Sequence, residues 1–298
     1  MNNSQCLPLV SFCILTYNQE KFIEDAIKGA LSQEYDNLEI IISDDGSTDR
    51  TYDIAKNLID NYKGPHKVIL NRNNPNLGIR EHCNKLLYEL AKCEYILLAA
   101  GDDISAPERT KEYVNLFEKF PQVTSISCKS LEVDEKLQPI DDEEEFDGSY
   151  SIYTIDDYVS FKDFLIKSGD SRGLRRCVIE KFPPLQYPKA EDLYLFIRSF
   201  LVGSVCYIRK PLVLRRHHNN NVSSQKTDRN SLESLKKQID VDIEYAKSKN
   251  YITEYIYKMM KQKAKKIYNI SMYTFTSIFY SPKVFIYRVA RKLYHQFF

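Results

Sequence analysis

No two of the chain's nine glycines stand two residues apart, so there is no G-x-G, and the glycine cradles of dinucleotide-binding and P-loop sites are excluded. The seven cysteines (Cys6, Cys13, Cys83, Cys93, Cys128, Cys177, Cys206) form no C-x-x-C pair. An odd, scattered set of this kind predicts reduced, buried thiols in a cytoplasmic protein. No stretch approaches the ~18 apolar residues of a spanning helix, and Met1-Asn2-Asn3-Ser4-Gln5 has no basic n-region, so neither export nor membrane spanning is expected. Charge of one sign is lacking too. Lys and Arg number 42 against 41 Asp and Glu, which leaves no general attraction for nucleic acid.

What is present is a β/α alternation. Leu9 to Leu15 is a β-rich run ending at Thr16-Tyr17-Asn18, with Asn18 a candidate cap for a helix through Phe22, Ile27 and Leu31. Leu38 to Ser43 is a continuous apolar strand of the type buried on both faces, and Tyr52 to Tyr62 recurs as a helix. His66 to Asn71 predicts a third strand, Ile79 to Cys93 a helix, and Glu94 to Ala100 a fourth strand. Ser105-Ala106-Pro107-Glu108 reads as a capping box for a helix to about Phe120. Beyond a strand over Thr124 to Val133, helices are expected at Asp156 to Ser168, Leu174 to Phe182 and Glu191 to Val202, then a strand over Ser204 to Arg215. The pattern predicts an α/β fold with a mostly parallel central sheet flanked by helices. The acidic run Asp141 to Glu145 reads as a solvated loop.

Paired carboxylates follow two of the strands: Asp44-Asp45 after the second and Asp102-Asp103 after the fourth. Ligands of an open parallel sheet bind beyond the carboxyl ends of its strands, where helix N-termini also point. Tyr17, Asp45 and Asp103 are therefore expected in one crevice. A tyrosine there can stack on a nucleobase, and a carboxylate can accept the imino N–H of a uracil-like ring. Asp102-Asp103 supplies the one or two carboxylates that Mg²⁺ or Mn²⁺ takes from a protein when a diphosphate and water complete its shell. The competing reading of each pair is an ordinary helix cap.

These motifs carry a resemblance. V-S-F-C-I-L-T-Y-N-Q-E, L-S-Q-x-Y-x-N-L-E-I-I-I-S-D-D-G-S-T-D and N-L-G-I-R followed by L-A-K-C-E-Y-I-L-L-A-A-G-D-D together resemble family 2 glycosyltransferases of the nucleotide-diphospho-sugar transferase, GT-A type fold, in their bacterial surface-polysaccharide form. The likeness covers residues 9 to 120. It implies that Thr16, Tyr17 and Glu20 line the nucleotide segment, that Asp44 and Asp45 belong to the base-recognising motif, and that Arg80 approaches the donor. It also implies that Asp102 meets ribose or sugar hydroxyls and that Asp103 holds Mn²⁺ or Mg²⁺. Ala100-Gly101 stand where the commonest form of the metal motif has an acidic residue, so the weight falls on Asp103. Glu191-Asp192 resembles the family's acidic pair, with Asp192 as catalytic base. The stretch Pro211 to Ser223 resembles a closing P-L-V-x-Y-R-x-H-x-x-N-x-S element, in which His217 or His218 is a metal ligand and Arg215 and Arg216 can meet phosphate; two registers fit equally well.

The resemblance thus implies an inverting, metal-dependent enzyme that moves a sugar from a nucleotide-diphosphate donor, a UDP-sugar, to a hydroxyl of a glycan or lipid-linked glycan acceptor. Residues 1–225 form the expected catalytic domain, with 1–120 its nucleotide-binding half and 121–225 its acceptor half, and 226–298 a helical basic extension. From Tyr245 on, 11 Lys and Arg face only Glu254. Tyr251, Ile252, Tyr255, Ile256, Met259, Met260 and Ala264 line one side of a helix in this tail. Such a face can lie on an anionic membrane surface at the inner side of the cytoplasmic membrane or pack on the body. Two rival functions are a nucleotidyltransferase making nucleotide sugars, which needs a glycine-rich loop where Thr16-Tyr17-Asn18 stands, and a non-catalytic nucleotide-sugar-binding module.

Overall fold

The structure, a computed structural model, describes residues 7–140, 148–160, 171–188, 191–218 and 229–265. The chain opens with β1 (Val10–Thr16), α1 (Ile23–Leu31), β2 (Leu38–Asp44), α2 (Thr51–Asp60) and β3 (Lys67–Arg72). Next come α3 (Ile79–Asn84), prolonged by a π-helical stretch over Lys85–Leu90, then β4 (Tyr95–Ala100), β5 (Ile104–Ser105), α4 (Arg109–Lys119) and β6 (Val123–Val133). β7 (Tyr150–Tyr153), α5 (Ile155–Ser160), β8 (Gly173–Arg175), α6 (Cys177–Glu180), α7 (Glu191–Val202), β9 (Ser204–Arg216) and α8 (Arg229–Ser248) follow. A last helix covers 254–265.

One sheet runs β3-β2-β1-β4-β8-β6-β9-β5, with β7 added on β9. Parallel pairing joins β3, β2, β1 and β4, and again β6 and β9, while β8 bridges the two groups antiparallel. Side chains of the central strands alternate between two cores because successive residues point to opposite faces. Phe12 and Ile14 of β1, Ile40 and Ile42 of β2 and Leu97 of β4 meet α1 and α4 on one side. Cys13, Ile41, Ile96 and Leu98 meet the π-helical stretch, α6, α7 and α8 on the other. Both faces are covered, which is why these strands read as near-continuous apolar runs.

The architecture is the expected one, and several local details differ. Leu174 and Arg175, expected in a helix, lie in β8, because the slot between β4 and β6 needs a strand and fully buries Leu174. Ser105 does not cap α4: it sits in β5, and its hydroxyl accepts from Arg109 Nη1 at 2.8 Å. The α4 amide at Thr110 is instead bonded to the Gln33 side-chain oxygen at 3.0 Å, a partner 77 residues away. Asn18 does not cap α1 either. Its oxygen accepts the Thr48 amide at 2.9 Å and so ties the β1 end to the β2–α2 turn. The six described cysteines are free thiols, five of them buried. Asp141 to Glu145 and the tail from residue 266 lie outside the described residues. Ile252, Ile256, Met260 and Ala264 are buried in the core shared with α7 and α8. No helix among the described residues is long and apolar enough to cross a membrane.

Candidate active site

The parallel register aligns the ends of three strands. Thr16 pairs with Asp44 and Leu15 with Ala100, and the chain continues the contact past each end: the Asp45 amide donates to Thr16 O and the Gly101 amide to Leu15 O, each at 3.0 Å. Thr16-Tyr17, Asp44-Asp45 and Asp102-Asp103 therefore lie along one rim. Gly101 is what allows so close an approach, since a Cβ there would stand 2.7 Å from Thr16 Oγ1 and 2.8 Å from Thr16 Cβ. The glycine where an acidic residue was expected thus has a steric reason.

The two acids of the first pair do different work. Asp44 is fully buried. It accepts the Ser47 amide at 3.0 Å and the Ser47 hydroxyl, with Arg72 Nε at 3.6 Å, so its carboxylate is used in forming the turn into α2. Asp45 closes on the loop after β3: Oδ1 accepts Asn73 Nδ2 at 2.8 Å and the Leu77 amide at 3.0 Å, and Oδ2 accepts the Gly78 amide at 2.9 Å. A carboxylate has about four acceptor positions; these three donors leave room for one more. Gly78 supports this closure with φ 78° and ψ 156°, a conformation open essentially to glycine alone. Behind the pair, His82 Nε2 sits 2.8 Å from Ser43 Oγ, and burial pushes its pKa down toward the neutral imidazole.

Tyr17 stands 48% exposed beside this loop system. Glu20 is exposed, accepts the Arg50 amide at 3.1 Å, and has its own amide bonded to Asp49. Arg80 Nη1 donates to Gln186 O at 2.8 Å.

The second acidic pair meets the end of β9. His218 Nε2 lies 2.9 Å from Asp102 Oδ2, and the Arg216 amide donates to Asp103 Oδ1 at 2.9 Å. His217 faces the other way and bonds Glu132. Alternation along an extended segment separates neighbouring side chains, so the two histidines meet different partners. Phe22 of the β1–α1 junction is clamped between the His218 ring, 4.5 Å between centroids, and the Arg216 guanidinium, 4.8 Å from its centroid. Arg216 is buried and paired with Asp25 at 2.9 Å, and Arg215 pairs with Glu132 at 3.5 Å. Among the described residues, no three of His, Cys, Asp and Glu are close enough to hold a metal alone.

Glu191 and Asp192 open α7, Glu191 half-buried and Asp192 exposed. Burial first, and the Asp192 charge second, push the Glu191 pKa up to about 7. The sequence offered no sign of the clamp on Phe22 or of the loop closing on Asp45, because both join segments distant along the chain. Gly101, directly before an acidic pair, was the one legible signal for a close approach.

The sequence matches the model of "Glycosyl transferase family 2" over residues 11–182. It is 34% identical over 128 residues to the Escherichia coli UDP-Glc:alpha-D-GlcNAc-diphosphoundecaprenol beta-1,3-glucosyltransferase WfaP, covering 43% of this chain and 49% of that one. The chain spans less than half the length of the curated relatives it matches first. Staphylococcus aureus TarS 1-349, solved with UDP-GlcNAc, shares the fold at TM-score 0.62 with 18% identity, over 79% of this chain and 66% of that one. The mannosyltransferase PcManGT of Pyrobaculum calidifontis, solved with GDP-Man and Mn²⁺, aligns at TM-score 0.58 and 14% identity, over 97% and 81% of the two chains.

Proposed function

The chain belongs to glycosyl transferase family 2, and from that premise we propose that it is an inverting, metal-dependent enzyme transferring a sugar from a UDP-sugar to a hydroxyl of a glycan or lipid-linked glycan. One observation carries the reading: the ends of β4 and β9, 113 residues apart at the Asp103–Arg216 contact, close on the rim already formed by β1 and β2. The reading is supported because that convergence brings Asp102, Asp103 and His218 to the rim that carries Tyr17 and Asp45. WfaP's name carries a UDP-sugar and a diphosphoundecaprenol acceptor, and TarS was solved with UDP-GlcNAc; both favour this donor class. The enzyme would work in the cytoplasm, at the inner face of the membrane where a lipid-linked acceptor is presented.

In this reading Tyr17 stacks on the base, and the remaining acceptor position of Asp45 takes the imino N–H. Asp103 and His218, with Asp102 beside them, are an oxygen-rich donor set with one imidazole, which fits Mn²⁺ or Mg²⁺ with shell positions left for diphosphate oxygens. A cation held there would neutralise the charge that develops on the leaving diphosphate. Asp102 bonds the His218 ring and fixes its direction, the usual way a carboxylate orients an imidazole ligand. Asp192, exposed at the start of α7, takes the proton of the acceptor hydroxyl as its oxygen bonds to the anomeric carbon. The bond from that carbon to the diphosphate breaks on the opposite face, and its electron pair leaves with the nucleotide. Glu191 beside it, its pKa raised by burial to about 7, is only partly ionised at neutral pH and adds less competing negative charge than an ordinary carboxylate.

The test is a panel of UDP-glucose, UDP-galactose, UDP-N-acetylglucosamine and GDP-mannose, read as Mn²⁺-dependent thermal stabilisation and slow donor hydrolysis. A UDP-sugar should stabilise the protein and be hydrolysed. Asp103→Asn should abolish the metal dependence, and Asp192→Asn should abolish turnover while UDP still binds. A fully active Asp192→Asn enzyme, or donor binding indifferent to metal, refutes the assignment.

A further inference from the structure

The segment from Phe182 to Tyr187 has no regular secondary structure and is only partly buried, yet most of its backbone polar groups are bonded. From the nucleotide-binding half, Asn84 makes a reciprocal pair with Leu185, Nδ2 to Leu185 O at 2.9 Å and the Leu185 amide to Oδ1 at 2.8 Å, and Arg80 holds Gln186 O. Tyr88 OH lies 3.1 Å from Phe182 O and 2.9 Å from Pro183 O. The other anchors come from α8, beyond the residues matched by the family model. Gln238 Oε1 accepts the Gln186 and Tyr187 amides at 2.8 and 3.1 Å, and its Nε2 donates to Asp242 Oδ1 at 2.9 Å. Asp242 grips Arg198 of α7 with both oxygens, from Nε at 2.9 Å and Nη2 at 2.8 Å, and Arg198 Nη1 reaches Tyr88 OH at 3.1 Å. Arg198 and Asp242 are both essentially buried.

We propose that Gln238 and Asp242 of α8 are positioning residues for the transfer reaction, setting the strap 182–187 and the axial position and rotation of α7, and through them the placement of Asp192. The inference rests on the reading of Asp192 as base. Its geometry is one of leverage: Arg198 lies seven residues, two helical turns, beyond Glu191, so it shares that residue's helix face. A shift of α7 about the Arg198–Asp242 pair moves the first turn as a rigid body. Misplacing a reacting group by about 1 Å costs on the order of 100-fold in rate. A polar group fixed by a buried bidentate pair has that order of precision, whereas an apolar contact of equal volume allows sliding.

The proposal is tested with Gln238→Met, which removes both bonds to the strap at similar volume, and with the double variant Arg198→Met/Asp242→Leu. Replacing both partners of a buried pair by apolar side chains is commonly neutral for stability, so the second variant separates position from folding. UDP affinity in Mn²⁺ by calorimetry, melting temperature, and kcat and KM for hydrolysis of the panel's UDP-sugar are measured on the full chain. Both variants should bind UDP within twofold of wild type, keep the donor KM, and lose about 10- to 100-fold in kcat; amide exchange at Leu185, Gln186 and Tyr187 should quicken in Gln238→Met. Wild-type kcat in a stably folded double variant overturns the proposal, as does wild-type exchange in Gln238→Met. If Asp192→Asn hydrolyses donor normally, the function reading fails instead, so the two failures are distinguishable.

Discussion

Replacing Gly101 by alanine tests the closeness on which the rim depends. The added methyl would stand 2.3 Å from Gln19 Oε1, 2.7 Å from Thr16 Oγ1 and 2.8 Å from Thr16 Cβ. Gln19 ends a flexible side chain and can swing aside, at the loss of its 2.8 Å contact with the Thr16 hydroxyl, about 1 kcal/mol. Thr16 Cβ cannot move so cheaply, because β1 is bonded to β2 and β4 on both sides. Restoring ordinary contact requires the strand ends to part by about half an ångström, and overpacking of this kind costs about 1–3 kcal/mol. The sum, about 2–4 kcal/mol, should lower the melting temperature by roughly 3–6 °C for a chain of this size. Asp102 and Asp103 follow directly in the chain, so the same displacement should reduce UDP affinity in Mn²⁺ and drop kcat/KM by on the order of 10-fold. Thermal melts, UDP calorimetry and donor hydrolysis measure the three effects. Gly78→Ala is the control: it meets nothing within 4 Å, and its cost is backbone strain at φ 78° alone. Full activity and an unchanged melting temperature in Gly101→Ala would show that the strand ends need no such approach.

Glu191→Gln should flatten the pH dependence of stability. With the folded pKa near 7 and the unfolded value near 4.5, the folded wild type binds the extra proton, so its stability is fully present below about pH 4.5 and falls as pH rises toward 7. Urea denaturation from pH 4.5 to 8 should show that decline in wild type and its reduction in Glu191→Gln, and parallel curves would contradict the burial argument. His218→Asn should weaken Mn²⁺-dependent UDP binding at least tenfold, and His217→Asn should leave it within about twofold, since His217 faces Glu132; equal losses in calorimetry would refute the assignment of His218. Gln33→Ala should cost about 2–4 kcal/mol in urea denaturation, because the Thr110 amide and hydroxyl and the carbonyls of Gly29 and Ala106 all lose a buried partner. Less than 1 kcal/mol would mean that α4 is capped in another way.

Local pattern by itself determined a great deal of this protein. Apolar runs at Leu38 to Ser43 and Glu94 to Ala100, with the helical spacing between them, were enough for a sheet buried on both faces, since a strand sandwiched between two cores has no polar side to show. The acidic pairs were legible as rim residues because strand ends and their following turns are local features. Glu191 to Val202 was legible as a helix for the same reason. Only the tertiary structure decided what each polar group does. Asp44 and Asp45 are neighbours of one type in one motif, yet one holds a turn and the other a loop over thirty residues away. His217 and His218 read alike in the sequence, yet their partners differ, Glu132 of β6 for one and Asp102 of the turn after β4 for the other. Leu174 and Arg175 read as helix until a slot between β4 and β6 demanded a strand. Periodicity reports which face of an element is dry, a property of the segment itself; the partner of a hydrogen bond is fixed by chain that returns from elsewhere, and no local pattern encodes that.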